Sequence, residues 1–396
     1  METTSAFMGL ACRSCERQFG VDTHGRCPDC GGRLDPKYVY ESIDPDRVLP
    51  ERSPADIWTF DALLPFPRRE AESGAEGGTP LVNAPRLAAE LDVEEVYLKD
   101  EGRNPTGTGL DRGMSVAATA LAGHEDGADV EPIALPAAGN GGQSAAAYLG
   151  RLGLRSYAFV PSRTAFSNKA MINVHGGEMR VIGGRYPDAE AAVDDQLEAD
   201  YYDFQEFETP YRHEGAKTIA FELYLELGSV PEYVFVPAST GEFVVGVEKG
   251  FRELSAIGAT DEMPTIVAVQ PEGCAPIVGA IERGLESPEP WSRPDTICGE
   301  LEIPDPNGGD LAIEAVESTD GDAIAVPDEE ILASAVAIAQ NEVIEAGPGG
   351  GAAAAGAWSY AEDDGFDGSE TIVLLNTEAG VKTPDILRSH LMSQGI

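Results

Sequence analysis

The chain has 396 residues, of which 69 are acidic and 27 basic, giving a formal net charge of −42. This length suffices for two domains with separate cores, and so large an acidic excess argues against nucleic acid as a ligand. Because molar salt screens such self-repulsion, we expect a halophilic protein whose acidic side chains mostly solvate its surface.

Four cysteines near the start of the chain form two CxxC pairs, Cys12 with Cys15 and Cys27 with Cys30. Two such pairs with a short spacer can close a tetrahedral four-thiolate zinc site. Two disulfides are the alternative, which the absence of a recognisable signal peptide disfavours. We therefore predict a structural zinc ribbon over residues 1–36, in a cytoplasmic protein without a membrane partner.

A lead-in segment over residues 37–92 is predicted to pack on the larger of two domains. Within this segment, "REAESGAEGG" (69–78) is predicted to be a mobile loop. From Val93 onward, β-rich runs alternate with helical patterns. The predicted strands are 96–101, 132–137, 156–161, 179–184, 232–237, 265–271, 323–327 and 371–376. The predicted helices include 142–153, 216–228, 246–258 and 328–346. The alternation predicts an α/β fold with mainly parallel sheets, in a smaller domain (93–205) and a larger one (206–396) with a cleft between them.

Polar, glycine-rich turns follow several of the predicted strands. They are "NPTGTGLDRG" (104–113), which precedes a helical pattern at 115–124, "AAGNGGQ" (137–143), "ASTGEF" (238–243) and "NTEAGVKTP" (376–384). The unpaired N–H groups at the start of a helix favour an anion. Several such turns on one α/β scaffold predict a shared ligand-binding cleft.

The order of these segments resembles threonine synthase, a family of fold type II pyridoxal-phosphate enzymes. The resemblance rests on "EGGTPLVNAPRLAAEL", "YLKDEGRNPTG", "LDRGMS", "GNGGQSAAAYLGRLG", "YRHEGAKTIAFE", "VAVQPEGCAPI" and "GVKTP". It implies a tryptophan synthase beta-like architecture of two α/β domains with the cofactor between them, commonly as a homodimer. It also implies conversion of O-phosphohomoserine and water to threonine and phosphate.

The resemblance places this chain's Leu110 where the family has its Schiff-base lysine. The family's Ser-Phe-Lys-Asp-Arg segment matches Thr108 to Arg112 here. That lysine holds the cofactor as an imine, releases product and moves protons, and leucine can do none of these. By the resemblance, Lys99, Lys217, Lys249 and Lys382 match lysines that ordinary members carry beside the catalytic one, so their presence does not indicate a substitute.

Two further cofactor and substrate segments also depart from the family pattern. Glu242 stands where the phosphate loop usually has a glycine, and a carboxylate repels a bound phosphate. Ala137 and Ala138 replace the hydroxyl residues that precede the Gly-Asn of the substrate-carboxylate loop.

Other positions match the family and are predicted to line the cleft. By resemblance, the candidate cofactor contacts are Gly139, Asn140 (facing the ring hydroxyl), Gly241 and Thr377 (facing the pyridine nitrogen). The candidate contacts to an anionic, amino-acid-like ligand are Asn104, Thr106, Thr108, Arg212 and Lys217.

The resemblance and its departures lead to two hypotheses. The favoured one is a degenerate threonine synthase paralog that lacks lysine-dependent chemistry and binds a small anion or regulates an active relative. The alternative is a working pyridoxal-phosphate enzyme, a threonine synthase or related amino-acid lyase, with an altered site.

Overall fold

The computed structural model describes residues 1–23, 25–50, 54–123, 132–197, 201–363 and 365–395. Its strands are β1 (Phe7–Cys12), β2 (Gln18–Phe19), β3 (Leu34–Tyr38), β4 (Leu81–Asn83), β5 (Glu95–Asp100), β6 (Ile133–Pro136), β7 (Ser156–Pro161), β8 (Glu178–Ile182), β9 (Tyr202–Asp203), β10 (Tyr233–Pro237), β11 (Thr265–Pro271), β12 (Asp322–Val326) and β13 (Thr371–Asn376). Its α-helices are α1 (Pro45–Val48), α2 (Pro85–Leu91), α3 (Leu110–Ala122), α4 (Asn140–Arg151), α5 (Phe166–Val174), α6 (Tyr186–Gln196), α7 (Arg212–Ala216), α8 (Thr218–Leu227), α9 (Glu242–Ala256), α10 (Pro276–Glu282), α11 (Gly309–Glu317), α12 (Asp328–Glu342), α13 (Pro348–Glu362) and α14 (Pro384–Ser393).

The chain divides into two compact units. Unit 1 comprises Met1–Gly78, Leu110–Leu225 and Lys249–Asp261, and unit 2 comprises Thr79–Gly109, Glu226–Glu248 and Glu262–Ile396. These boundaries differ from the predicted domains, because 93–109 belongs to unit 2 and 206–225 to unit 1. Glycines allow some segments of unit 1 to pack closely against one another. A Cβ on Gly215 of α7 would lie 2.1 Å from the Arg112 carbonyl oxygen of α3, and one on Gly250 would lie 2.3 Å from the Lys217 carbonyl oxygen.

Unit 1 contains two sheets. β1 to β3 form a small antiparallel sheet in the order β2-β1-β3. The second sheet is parallel and has the order β8-β7-β6-β9. Leu10 and Leu34 of the first sheet belong to the same apolar cluster as Trp58 and Leu135, so the ribbon residues share the core of unit 1.

Unit 2 is built on a six-stranded sheet in the order β12-β11-β10-β13-β5-β4. All neighbouring pairs are parallel except β4 with β5. β10, β11 and β13 are almost entirely buried, as expected for parallel strands covered on both faces. The predicted α/β fold with mainly parallel sheets is confirmed.

α3 and α13 are among the helices that differ from the sequence-based expectation. α3 begins at Leu110, five residues before the predicted helical pattern, so four of the ten residues of "NPTGTGLDRG" are helical. α13 was not predicted, because "GPGGG" is typical of a loop. Its glycines serve close packing instead, since a Cβ on Gly350 would lie 2.4 Å from Asn376 Oδ1 and one on Gly351 would lie 2.2 Å from the Ile331 carbonyl oxygen. No helix among the described residues combines the length and the apolar composition of a membrane span.

Candidate functional site

The four ribbon cysteines converge at one point of unit 1. The Sγ atoms of Cys12 and Cys30 are 3.5 Å apart, those of Cys15 and Cys27 are 3.8 Å apart, and all four thiols are free. Zinc–sulfur bonds of about 2.3 Å in a tetrahedron would separate the sulfurs by about 3.8 Å. The donor set therefore fits a four-thiolate zinc ion, and these separations are too long for disulfide bonds.

The ribbon thiols also differ in acidity. Burial opposes ionisation of Cys12, but backbone N–H groups of Cys15 and Ser14 and the Cys30 thiol lower the pKa of Cys12 to about 6. The Gly32 N–H favours the Cys30 thiolate, yet the neighbouring thiols raise the pKa of Cys30 to about 12. The Cys12 thiol therefore ionises readily, whereas the Cys30 thiolate needs a cation to stabilise its charge.

The loops after β5 and β13 meet at the carboxyl edge of the unit 2 sheet, because these strands are neighbours. The Gly109 N–H donates to the Thr377 carbonyl oxygen at 2.9 Å, and the Thr108 hydroxyl donates to the same oxygen at 3.3 Å. The Phe243 ring packs against this turn, since a Cβ added to Gly109 would lie 2.9 Å from it. The structure therefore brings Thr108 and Thr377 together, while their assignment to ligand and cofactor binding stays a prediction.

Asn104 and Thr106 are held by side chains of their own unit. Asn104 Nδ2 donates to Glu101 Oε2 at 2.7 Å, and the Lys382 ammonium donates to the Thr106 carbonyl oxygen at 2.8 Å. Glu101 is fully buried and also accepts from the Thr79 hydroxyl at 2.6 Å. These contacts fix the shape of the loop, and the assignment of Asn104 and Thr106 to ligand binding stays a prediction.

Gly241 precedes α9 in the loop after β10 of the same sheet. Its φ is +94°, and a Cβ there would lie 2.8 Å from the Gly308 carbonyl oxygen, so the position requires glycine. Glu242 follows as the first residue of α9 and is buried. An acidic residue of the chain itself therefore stands in the first turn of α9, the helix end that attracts anions.

In unit 1, Leu110 lies beside the start of α4. A Cβ on Gly141 would be 3.9 Å from both Leu110 Cδ1 and the Ala137 methyl group. Gly139 has a φ of +146°, and a Cβ there would be 2.6 Å from the Asn168 amide nitrogen. Asn140, the first residue of α4, is buried. The structure thus brings Leu110, Gly139 and Asn140 to one end of α4.

Arg212 and Lys217 lie at the two ends of α7 and both are buried. Arg212 bonds Glu206 at 3.0 Å and the Phe204 carbonyl oxygen at 3.2 Å. Lys217 donates to Glu214 at 2.6 Å and lies 2.9 Å from Glu253 Oε2. These carboxylates would compete with an anionic ligand, so the assignment of both residues to anion binding stays a prediction.

Lys217 belongs to a larger set of buried ionisable groups in unit 1. We call it the buried charge cluster, and its members are Asp35, His213, Glu214, Lys217, Lys249 and Glu253. Asp35 comes from β3 of the ribbon and lies 2.9 Å from both His213 Nε2 and Lys249 Nζ. Sequence reasoning missed the cluster, because its members are scattered over 219 positions and show no motif.

Neighbouring charges set the pKa values in the cluster. Burial opposes ionisation of Glu214, but Lys217 and Lys249 lower its pKa to about 2. Burial and the charge of Glu214 raise the pKa of Glu253. Lys249 contacts both Asp35 and Glu214, so an ammonium group already occupies the place between these carboxylates.

Comparison with known proteins identifies the architecture first. An L-serine ammonia-lyase from Rhizomucor miehei superposes with a TM-score of 0.68, covering 79% of this chain and 97% of that chain at 20% identity. At this identity the likeness establishes the α/β fold alone. The family model described as pyridoxal-phosphate dependent enzyme matches residues 72–378, and the chain belongs to this family.

Within the family the chain is similar to threonine synthases. That of Methanosarcina acetivorans is 32% identical over 95% of this chain and 92% of its own length. That of Methanocaldococcus jannaschii is 33% identical over 94% of this chain and 93% of its own length. The predicted resemblance to the threonine synthase family is confirmed at this level.

Proposed function

We propose that this threonine synthase-like chain is a paralog that has lost lysine-dependent chemistry and binds a small anionic, amino-acid-like ligand or regulates an active relative. The observation that carries the proposal is where the six lysines lie and which groups they contact. A substitute for the missing amine would have to come from one of them. Leu110 begins α3 at the place that the resemblance assigns to the Schiff-base lysine.

Four of the six lysines are buried and hold structural contacts. Lys99 donates to the Thr79 carbonyl oxygen at 2.7 Å and to Glu226 at 2.9 Å. Lys217 and Lys249 belong to the buried charge cluster. Lys382 donates to the Thr106 carbonyl oxygen. Carrying a cofactor on any of them would leave a buried carboxylate or carbonyl oxygen without its donor, which is costly.

The two remaining lysines are partly accessible and lie on other elements. Lys37 is in β3 of the ribbon, 3.4 Å from Asp35. Lys169 is in α5 and donates to the Ser162 carbonyl oxygen at 2.8 Å. Neither belongs to the loops at the carboxyl edges of β5, β10 or β13. The residues present therefore do not fit a cofactor held covalently by lysine.

Glu242 adds a second obstacle to the family cofactor. Its carboxylate lies at the start of α9, where the resemblance puts the cofactor phosphate. Like charges at hydrogen-bonding distance oppose each other. The helix end that would attract the phosphate already carries a negative group of the chain.

The test combines cofactor trapping with an activity assay. Protein incubated with pyridoxal phosphate is reduced with borohydride and mapped by peptide mass spectrometry, and phosphate release from O-phosphohomoserine is measured in parallel. We expect no reduced pyridoxyl group and no phosphate release. A pyridoxyl group on a specific lysine together with threonine formation would refute the proposal and support the alternative, a working enzyme with a relocated lysine.

Engineered variants separate the two obstacles. Leu110→Lys should gain little cofactor absorption while Glu242 remains, and Leu110→Lys with Glu242→Gly should gain more. Leu110→Met is the matched control, since it keeps the apolar side chain and should gain none. Turnover should lag behind absorption in the double variant, because Ala137 and Ala138 provide no hydroxyl groups. Full absorption in Leu110→Lys alone would show that Glu242 is no obstacle.

A further inference from the structure

A groove with a volume of about 340 Å³ lies between α12 and α13 of unit 2. Small-molecule sites span about 300–1,000 Å³, so the groove has the size of a site for a small ligand. α12 contributes positions 330, 333, 334 and 337, and α13 contributes positions 355, 358, 359 and 362. Both sets have the spacing i, i+3, i+4 and i+7, so each occupies one face of its helix over about 10 Å. We call this feature the α12–α13 groove.

Small residues explain why the α12–α13 groove exists. α13 approaches α12 closely at Gly351, where an added Cβ would lie 2.2 Å from a carbonyl oxygen of α12. Elsewhere between the two helices, Ala333, Ala337 and Ala355 are too short to fill the space beside the Trp358 ring. Trp358 is partly buried and packs against the core of unit 2. The groove is therefore lined by methyl groups and one aromatic ring.

Five side chains with polar atoms also line the groove, and none of them forms a hydrogen bond or ion pair with another residue that the structure describes. They are Glu330, Ser334, Trp358, Ser359 and Glu362. Ser334 is only 5% exposed. A hydroxyl group buried this deeply is normally hydrogen-bonded, because an unpaired buried polar group is destabilising. The Ser334 hydroxyl therefore indicates a ligand that reaches it from the groove.

The charge of the groove indicates what kind of ligand suits it. Glu330 and Glu362 are exposed, and no Lys, Arg or His is among the described residues that line the groove. Because the whole chain is acidic, two glutamates alone would indicate little. Their place beside an aromatic ring and two unpaired hydroxyl groups is more specific, since the ring attracts a cation and the oxygens accept from N–H groups. An anion would be repelled, and a purely apolar ligand would leave the oxygens unpaired.

We propose that the α12–α13 groove binds a small organic cation of the alkylammonium class. Glu330 and Glu362 attract its charge, and its N–H groups donate to their carboxylates and to the Ser334 hydroxyl. Its carbon chain lies against the alanine methyl groups and the Trp358 ring.

The groove is separate from the loops discussed under the proposed function. α13 begins beside Thr377, since a Cβ on Gly349 would lie 2.1 Å from Thr377 Oγ1. The lining of the groove begins at Ala355, about 9 Å further along the helix. The inference therefore goes beyond the proposed function, and its test does not depend on cofactor binding.

The experiment follows fluorine NMR of the full chain labelled with 5-fluorotryptophan. The chain has three tryptophans, and Trp358→Phe identifies the resonance of Trp358. n-Butylammonium chloride is the probe and n-butanol is its neutral counterpart, both titrated at constant total salt. We expect n-butylammonium to shift the Trp358 resonance saturably, with a dissociation constant at least about tenfold lower than that of n-butanol. The resonance of Trp58, which is 1% exposed in unit 1, should stay unchanged.

Charge-matched variants test the residues. Glu330→Gln combined with Glu362→Gln should raise the dissociation constant of n-butylammonium roughly tenfold, and Ser334→Ala should raise it about fivefold. Glu317→Gln combined with Glu329→Gln is the matched control, because both residues are exposed and lie outside the groove. It removes the same charge and should leave binding unchanged.

Several results would overturn the proposal. They are the absence of a saturable shift at Trp358, equal binding of n-butanol, and an equal loss of affinity in the matched control. Self-association of the chain that Trp358→Phe abolishes, measured by sedimentation, would also overturn it, because a second copy would then occupy the groove. The comparison of the two probes uses the wild-type chain, so it decides the question even where a variant fails to fold.

Discussion

Replacing Asp35 by asparagine tests how the ribbon is attached to the core of unit 1. Asp35 is the one member of the buried charge cluster that comes from the ribbon, and it is 8% exposed. Its Oδ1 lies 2.9 Å from both Lys249 Nζ and His213 Nε2. Asparagine keeps the size of the side chain but removes the charge, leaving Lys249 with Glu214 as its remaining carboxylate contact.

The distances allow the cost to be estimated. At an effective dielectric constant near 20, unit charges 2.9 Å apart attract each other by about 6 kcal/mol. Breaking a buried pair by removing one partner costs about 3–5 kcal/mol. Because Glu214 still neutralises Lys249, we expect Asp35→Asn to lower the free energy of unfolding of unit 1 by about 3 kcal/mol.

The matched control uses the other lysine that contacts Asp35. Lys37 lies 3.4 Å from Asp35 Oδ2, but its side chain is 53% exposed. Lys37→Met should therefore change the free energy of unfolding by less than about 1 kcal/mol. Urea unfolding followed by circular dichroism measures both variants. Hydrogen exchange of Leu34–Tyr38 shows whether the ribbon strand loosens first.

The pH dependence of the difference in unfolding free energy follows from the pKa of the Asp35 carboxyl group. Burial opposes its ionisation, but Lys249 and His213 hold its pKa well below the usual range. A lowered pKa contributes stability above the unfolded value near 3.9, which is lost as the pH falls through the folded value. The difference between wild type and Asp35→Asn should thus be constant near neutral pH and narrow below about pH 4. A loss under about 1 kcal/mol at neutral pH, or a difference that widens in acid, would refute this account.

Three further predictions concern other parts of the chain. Freshly purified protein should contain one zinc ion, and Cys12→Ser should release it and loosen the ribbon while the α/β sheets stay folded; metal-free protein with paired thiols, shown by elemental analysis and thiol titration, would contradict this. The melting temperature should rise from low salt to about 1 M, because salt screens the net charge of −42; a flat or falling series of thermal melts would contradict it. Arg112→Met should cost about 3–5 kcal/mol in urea unfolding, because Arg112 and Glu222 are both fully buried and form two bonds of 2.7 Å. Arg47→Met, which removes an exposed pair with Asp44 at 3.2 Å, is the control for Arg112→Met and should cost less than about 1 kcal/mol; equal costs would contradict the third prediction.

The strands were predictable because buried parallel strands are short apolar runs between turn residues. The run at 371–376 coincides with β13, and the run at 156–161 coincides with β7. Glycine-rich stretches were a less reliable guide to structure. The glycines of α13 are typical of a loop, yet they serve close packing against Asn376 and Ile331.

The segment at 69–78, which the sequence predicts to be a mobile loop, shows that a polar residue need not be exposed. Glu76 in this loop is fully buried. Its carboxylate accepts from the Trp58 indole at 2.9 Å, the Tyr148 hydroxyl at 2.7 Å and the Gly74 N–H at 2.8 Å. A carboxylate reaches such a position only when several donors converge on it. Gly74 is a neighbour in the chain, but Trp58 and Tyr148 lie 18 and 72 residues away, so the sequence alone could not indicate them.

The same reasoning explains why the proposed loss of lysine chemistry would leave the fold intact. The resemblance matches Lys99, Lys217, Lys249 and Lys382 to lysines of ordinary family members, and the structure gives each a buried partner. Removing any of them would leave buried oxygens or carboxylates without a donor, so stability alone is enough to retain them. Position 110 differs, because Leu110 presents an apolar side chain at the start of α3, beside Gly141. Under the proposal, an apolar residue at position 110 costs the fold little, whereas loss of the other four lysines would cost it much. The four buried lysines are therefore no evidence for lysine-dependent chemistry, and the proposal rests on position 110 together with Glu242, Ala137 and Ala138.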